Sequence, residues 1–307
     1  GNPQFFTFKD LKFGTTSHST VMGKAFSSCW QALALPWSWS ATAAVATPQS
    51  VNLMDHVLAA RRMVGQELSN AEAADVRSAL RFLETPPEEK PIWGSAQRGL
   101  FFVFEGLDRS GKSTQSKKLE EYFSKAGRPV KWTCFPNRKT PIGAAIDLYL
   151  RRQLELPDEA VHRLFSANRW EMAQSIVEDL RAGTTIICDR YAFSGVAYSA
   201  AKGLDFSWCQ APDRGLPCPD GIFFLHIDEK VGAARSNFGD ERYENAEMQA
   251  RVRGQFKDPR LRANVNWQDV NGARDMEVIH AEIRSAVEAI RQEDQENRQR
   301  VISRLWV

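Results

Sequence analysis

The densest concentration of chemistry in the chain is the octet Gly106-Leu107-Asp108-Arg109-Ser110-Gly111-Lys112-Ser113. Its form is G-x-x-x-x-G-K-S, and each fixed position has a task. The glycines let backbone N–H groups turn inward around phosphate oxygens, and the N-terminus of a following helix adds partial positive charge. Lys112 reaches toward the β- and γ-phosphates, and the Ser113 hydroxyl serves a Mg²⁺ ion. Such a pattern also arises by chance as a glycine-rich turn with a helix cap, so its context decides. Here Leu100–Phe104 reads as a buried strand just before it, and an amphipathic stretch from Lys112 to Ala126 reads as a helix just after it. A second signal is Asp189, directly after the apolar run Thr184–Cys188. An acid at the C-terminal end of a strand in this setting lies beside the phosphate loop and holds Mg²⁺, directly or through water. An ordinary helix-capping aspartate is the plainer alternative.

A phosphate loop points to a nucleoside triphosphate and leaves open what is done with it. Candidate groups for a second substrate are Phe135-Pro136-Asn137-Arg138 and Phe165-Ser166-Ala167-Asn168-Arg169-Trp170-Glu171. Phe165 and Arg169 are four residues apart and share a helix face. A ring to stack on a base and a guanidinium to bond its edge suit a planar heterocycle, although core plus surface is the plainer explanation of the pair taken alone. Arg190 and Arg242 are two more cations of a type that is usually solvated. Of the five histidines, His226 falls inside a predicted strand, where a structural role is expected. His18, His56, His162 and His280 have no metal-like spacing.

These residues need elements to hold them. From residue 99 onward, short apolar runs alternate with longer amphipathic stretches. Strands are expected at 100–104, 130–135, 184–188 and 222–227, with a short one near 263–270. Helices are expected at 112–126, 141–153, 158–182, 243–258 and 275–298. That alternation specifies an α/β domain around a mainly parallel sheet. Open sheets of this kind bind ligands at the C-terminal ends of their strands, so Gly106–Ser113 and Asp189 point at one crevice.

The first part of the chain has a different character. Residues 1–54 hold one acid, Asp10, with three lysines, no arginine and many hydroxyl side chains. That composition fits an organelle transit segment, with the missing arginine against a mitochondrial one, or a plain extension. Residues 52–84 read as a helical hairpin, with Asn70 expected to cap its second helix, able to pack on the following domain or on a partner. Thr85–Pro91 reads as a linker. The expected division is an extension over 1–97 (targeting segment 1–50, hairpin 52–84, linker 85–97) and a catalytic domain over 98–307 that stands without it.

The chain has 307 residues, 43% hydrophobic and 25% charged, with a formal net charge of +2. That is a globular composition, which excludes collagen, wholesale disorder and a disulfide scaffold. The charge balance gives no support for non-specific nucleic-acid binding. The five cysteines include no C-x-x-C pair and read as reduced thiols of an intracellular protein with no zinc site. No apolar run reaches the roughly 18 residues of a membrane span.

Five ordered motifs together resemble thymidylate kinase over about residues 98–307. They are Phe104–Gln115, Phe135–Arg138, Leu164–Glu171, Asp189–Tyr198 and the pair Pro212–Pro217 with Phe238–Glu244. The arginine inside the phosphate loop is the eukaryotic form. The resemblance implies a P-loop nucleoside monophosphate kinase fold and the reaction ATP + dTMP giving ADP + dTDP with Mg²⁺. By that likeness Arg109, Lys112, Asp189 and Arg190 are catalytic. ATP is bound by Gly106, Arg109, Ser110, Gly111, Lys112, Ser113, Thr114, Arg235, Ala273 and Arg274, and Mg²⁺ by Ser113 and Asp189. For dTMP, Asp108 contacts the 3′-hydroxyl and Arg138 and Arg190 grip the phosphate. Phe165 stacks on thymine, Arg169 bonds its carbonyl edge, and Tyr198 stands against C2′. Phe135, Ser194, Gly195 and Tyr243 complete that site. Residues 235–248 resemble a mobile lid. The likeness further implies a homodimer. Acceptance of dUMP is expected because one missing methyl costs only about 1–3 kcal/mol in an apolar pocket. An intracellular place is expected, cytoplasm first and nucleus or mitochondrion next, with a plastid or other organelle as the alternative because of the N-terminal extension. Residues 1–97 stand outside it. A UMP/CMP or adenylate kinase, and a non-catalytic kinase fold presented by a helical module, are the competing readings.

Overall fold

The computed structural model describes residues 52–85, 92–93, 98–227, 241–297 and 301–307. Five parallel strands form the central sheet: β2 (Phe101–Gly106), β3 (Val130–Cys134), β4 (Thr185–Asp189), β5 (Gly221–His226) and β6 (Trp267–Asn271). Their spatial order is β3-β4-β2-β5-β6. β2 lies between β4 and β5, in register from Phe101–Ile186 to Phe104–Asp189 on one side and from Phe102–Gly221 to Gly106–Leu225 on the other. From β2 the chain runs to β3 at one edge and back to β4, then crosses to β5 on the other side of β2, and a ligand crevice opens beyond the strand ends at that change of direction.

Every residue of β2 is buried, as a central parallel strand requires. Its side chains alternate between two cores. Phe102 and Phe104 join Leu119, Phe123, Phe223 and Ile283 under α3 (Lys112–Lys125) and α10 (Met276–Asn297). Phe101 and Val103 join the larger core on the other face, which includes residues of α4 (Pro141–Leu150), α5 (Asp158–Arg181), α6 (Ala192–Ala200) and α8 (Ala246–Phe256). Two short helices, α7 (Phe206–Gln210) and α9 (Pro259–Arg262), complete the body. The sequence reading finds neither α6 nor α7. Six of the nine residues of α6 are buried, Ser194 and Ser199 among them, so its polar residues do not mark an exposed face, and α7 is a single turn and a half.

The hairpin is present as α1 (Leu53–Met63) and α2 (Asn70–Phe82). Ser69, not Asn70, caps α2: its Oγ accepts from Glu72 N at 3.2 Å while the Glu72 carboxylate accepts from Ser69 N at 2.8 Å. Both helices pack on the catalytic body. Leu53, Val57, Val76 and Ala79 belong to the same core as Phe101 and Val103. Ala60 packs with Ala145 and Leu148 of α4, and Phe82 stacks on Trp170 of α5 with ring centroids 4.9 Å apart. Within the expected linker, β1 (Ile92–Trp93) pairs antiparallel with β7 (Val301–Ile302). Among the described residues the hairpin and the body thus belong to one compact unit. The physical reason is that α4 and α5 are apolar around more of their circumference than the sheet covers, and α1 and α2 supply the missing cover. The expected targeting segment lies outside the described residues.

Cys134, Cys188, Cys209 and Cys218 are free thiols. His226 ends β5 with its side chain exposed, so the packing role expected for it is not found. Among the described residues no helix is long and apolar enough to cross a membrane.

Candidate active site

The phosphate loop leaves β2 at Gly106, whose φ of +141° favours glycine; a Cβ there would stand 2.3 Å from Leu225 O. Gly111, at φ +100°, starts α3, and no side chain caps the first turn. The leading N–H groups of α3 are thus left for an anion. Lys112 is buried, and its Nζ donates to Leu107 O at 2.5 Å and Ser110 Oγ at 3.4 Å. Burial, then the nearby Arg190 charge, pull its ammonium down to about 8 against the opposing effect of Asp189, Asp108 and Glu105.

Two arginines of the site, Arg109 (φ +62°) and Arg190 (φ +67°), occupy the left-handed region that costs a side-chain-bearing residue about 1–2 kcal/mol. Strain held at two adjacent functional positions is characteristic of a site whose geometry is imposed by its surroundings. Arg190 donates to Gly106 O and Ser194 Oγ at 3.1 Å each and to the Asp108 carboxylate, and its guanidinium lies 5.5 Å from the Tyr198 ring centre. Burial opposes its charge, but Tyr198, Asp108, Asp189 and Glu105 outweigh that and raise its pKa. Asp108 also accepts from Tyr198 OH at 3.0 Å and Gln249 Nε2 at 2.7 Å. Burial would raise the Asp108 pKa, yet Arg190 and Lys112 bring it below the ordinary value.

Two residues here escape sequence reasoning. Gln249 on α8 clasps Asp108 twice, since its Oε1 accepts from Asp108 N at 3.1 Å. Glu105, fully buried, accepts from Tyr191 N (2.9 Å), Ser194 N (3.1 Å) and Ser194 Oγ (2.5 Å). It ties the end of β2 to the first turn of α6 and so fixes the segment carrying Asp189 and Arg190. Its only sequence signal is an acid inside an otherwise apolar strand.

The acceptor side of the cleft is built by α5 and two loops. Val161, Phe165 and Arg169 fall at successive i, i+4 positions of α5 and all line the cleft. Arg169 is held by a buried, two-point ion pair with Asp213, at 3.0 Å from Nε and 2.6 Å from Nη2. Asp213 also accepts from Ser166 Oγ at 2.6 Å. Gly195 leaves room for this guanidinium: a Cβ would lie 2.8 Å from Arg169 Nη2. Arg138, after the cis Phe135–Pro136 peptide, bonds Asp147 and Glu241 at 2.6 Å each. Arg109 pairs with Glu244 at 3.3 Å. Asp108, Arg109, Lys112, Ser113, Phe135, Arg138, Phe165, Arg169, Asp189, Arg190, Ser194, Gly195, Tyr198 and Tyr243 line one cleft of about 310 Å³.

The remaining expected positions divide. Gly106, Ser110, Gly111 and Thr114 belong to the loop and the first turn of α3. Ala273 and Arg274 sit in the β6–α10 loop, where a Cβ on the adjoining Gly272 would stand 2.7 Å from Ser110 O, so this loop abuts the phosphate loop. Arg274 itself pairs with Glu282. Arg235 lies outside the described residues.

The donor set suits a hard divalent cation. Ser113 Oγ donates to Asp189 Oδ2, while Asp189 Oδ1 is buried with no hydrogen-bond partner. A hydroxyl and a carboxylate oxygen beside a phosphate cradle match Mg²⁺, which takes few protein ligands and fills its octahedron with phosphate oxygens and water.

The family model described as thymidylate kinase matches residues 104–283. A thymidylate kinase of Schizosaccharomyces pombe is 51% identical over 160 residues, 52% of this chain and 76% of that protein. One of Arabidopsis thaliana is 39% identical over 244 residues, 80% of this chain and 86% of that protein. Since the stretch 98–307 holds 210 residues, the Arabidopsis match runs into the N-terminal hairpin region, which the resemblance read from the sequence had left out. A solved thymidylate kinase structure from Candida albicans superposes with a TM-score of 0.58 at 36% identity, over 68% of this chain and 97% of that one. With the phosphate loop, the Asp189 strand end and the Phe165–Arg169 face gathered in one cleft, the chain belongs to the thymidylate kinase family of phosphotransferases.

Proposed function

We propose that the protein moves the terminal phosphoryl group of ATP onto the phosphate of dTMP, and that Ser113 and Asp189 would hold the Mg²⁺ ion used in that transfer. The observation that carries this is the single cleft in which Lys112, Arg109, Arg138 and Arg190 converge between a phosphate cradle and an aromatic pocket. A phosphate monoester has its second pKa near 6 and is largely dianionic at neutral pH. No base is then needed to activate it. The bond between the γ-phosphorus and its bridging oxygen breaks as an acceptor oxygen bonds to phosphorus, and no proton has to move. The difficulty is bringing two anions into line, so positioning and positive charge do the catalysis. Mg²⁺, when bound, supplies neutralisation of the donor phosphates.

The remaining assignments are those the family likeness implies, and the places of these residues around the cleft support them. Lys112 and Arg109 hold the transferring group. Arg138 and Arg190 hold the acceptor phosphate. Phe165 packs on the base, and Arg169, oriented by Asp213, reads its edge. Asp108 takes the 3′-hydroxyl, and the Tyr198 ring crowds C2′. The β6–α10 loop with Ala273 and Arg274 faces adenine. Acceptance of dUMP follows from the cost of one missing methyl in an apolar pocket, about 1–3 kcal/mol. The Candida albicans relative is described as having broad substrate specificity. The family expectation of a homodimer and the intracellular placement belong to this same proposal.

An ADP-release assay on the full chain tests the reading. dTMP with ATP and Mg²⁺ is expected to be the best acceptor, dUMP a weaker one, and UMP, CMP and AMP poor. EDTA is expected to abolish turnover. Preference for AMP or CMP, or no turnover with any acceptor, overturns it.

A further inference from the structure

α4 touches three things at once. Toward the hairpin, Ala145 and Leu148 pack on Ala60 of α1, with Leu154 just beyond α4 completing the cluster. At its N-terminus α4 presses on the acceptor loop: a Cβ at Gly143 would stand 1.8 Å from Asn137 O, so only glycine permits the approach. Asp147, one turn further on, accepts from Arg138 Nη1 at 2.6 Å.

The C-terminal end of α4 holds the chain that returns to the site. Arg242 N donates to Leu150 O at 3.0 Å, and Arg242 Nε donates to Tyr149 O at 3.0 Å. The Arg242 guanidinium lies 4.2 Å from the centre of the Tyr149 ring and reaches Leu154 O at 3.4 Å and Glu155 at 2.5 Å. The next residue, Tyr243, lines the cleft and donates its hydroxyl to Tyr149 OH at 3.3 Å. One rigid helix therefore joins Ala60 to both Arg138 and Tyr243.

We infer that the N-terminal helical hairpin is a positioning element for the acceptor nucleotide: α1, packed on α4 through Ala60, sets where Arg138 and Tyr243 stand. The inference rests on the assignment of those two residues to dTMP. A packed helix transmits displacement, because an interior at crystal-like density has no slack to absorb it. Misplacement by about 1 Å is enough to cost a large factor at a reacting centre. The phosphate loop lies on β2 and α3 and meets this segment only one step further on, through the Arg109–Glu244 pair and through Gln249, which donates to both Asp108 and Tyr243 O, so the donor side is coupled to α4 less directly.

The test uses the full chain with Ala60→Phe, a wedge between α1 and α4, and Val57→Ala, a milder loosening that keeps the helix. Ile283→Ala, in the core on the opposite face of the sheet, serves as a control for loss of stability alone. The expected result for Ala60→Phe is a KM for dTMP raised about five- to tenfold with a KM for ATP within about twofold. Val57→Ala is expected to shift in the same direction by less, and Ile283→Ala to lower Tm with both KM values unchanged. Equal effects on the two substrates, or a KM for dTMP no higher than in the control at matched loss of Tm, overturn the inference. Should the unaltered chain fail to phosphorylate dTMP, the functional reading fails instead, and the two failures are told apart by that first measurement.

Discussion

Replacing Arg109 by glycine separates what this residue does for the reaction from what it does for the fold. Arg109 lies inside the phosphate loop at φ +62°, a conformation glycine adopts freely. Relief of that strain favours the variant by about 1–2 kcal/mol. Against it stand the lost ion pair to Glu244, whose partners are 19% and 16% exposed, at about 1 kcal/mol, and the greater freedom of an unfolded glycine, at about 0.4–1 kcal/mol. These nearly cancel, so Tm should move by no more than about 4 °C in either direction. The rate should not be spared. A phosphoryl group in transit spreads charge over its equatorial oxygens, and a guanidinium from the loop can bond donor and acceptor oxygens together, as an arginine finger does. An interaction made chiefly in the transition state is lost from kcat rather than from KM. A fall in kcat of at least about 10²-fold, on the order of 3 kcal/mol, is expected with either KM changed only a few-fold. Steady-state kinetics beside a thermal melt reads both quantities on one sample. A variant with kcat intact and KM raised a few-fold, less so at high salt, would show that Arg109 only attracts nucleotides at long range.

Two further outcomes rest on the same cleft. Because burial and Arg190 bring the Lys112 pKa down to about 8 in the free protein, the ammonium is present below that pH and lost above it. The affinity for ATP should therefore be flat below pH about 8 and weaken as pH rises past it, by up to tenfold per unit; calorimetric titrations across pH 7–9.5 that show no such break, or a Lys112→Arg variant that keeps it, would sink the assignment. Tyr198 offers a ring to the sugar and a hydroxyl to Asp108. Tyr198→Ala should narrow the preference for dTMP over UMP, whereas Tyr198→Phe should keep that preference and raise the KM for dTMP by a few-fold; if the phenylalanine variant loses the preference, the hydroxyl rather than the ring is the gate.

Which parts of this site were legible in the sequence depends on the range over which each is determined. The phosphate loop is a local object: strand, glycine turn and helix start lie within a dozen residues, and the φ values at Gly106 and Gly111 leave little choice of residue. Phe165 and Arg169 were legible as a pair because helical spacing alone puts them on one face. What holds them was not. Asp213 meets Arg169 across 44 residues, and Gln249 meets Asp108 across 141, so no periodicity relates either pair. Both partners are polar groups buried to satisfy another buried polar group, a requirement that exists only once the fold has closed. The hairpin shows the same limit in apolar form. Its stripes could be read, but what they cover could not, because an amphipathic helix records that it needs a partner and not which one. That α1 finds α4 inside the same chain makes an apparent appendage continuous with the acceptor site. The distance from Ala60 to the reaction is then best counted in packed contacts rather than in residues: Ala60 meets Leu148, and the neighbouring Asp147 holds Arg138.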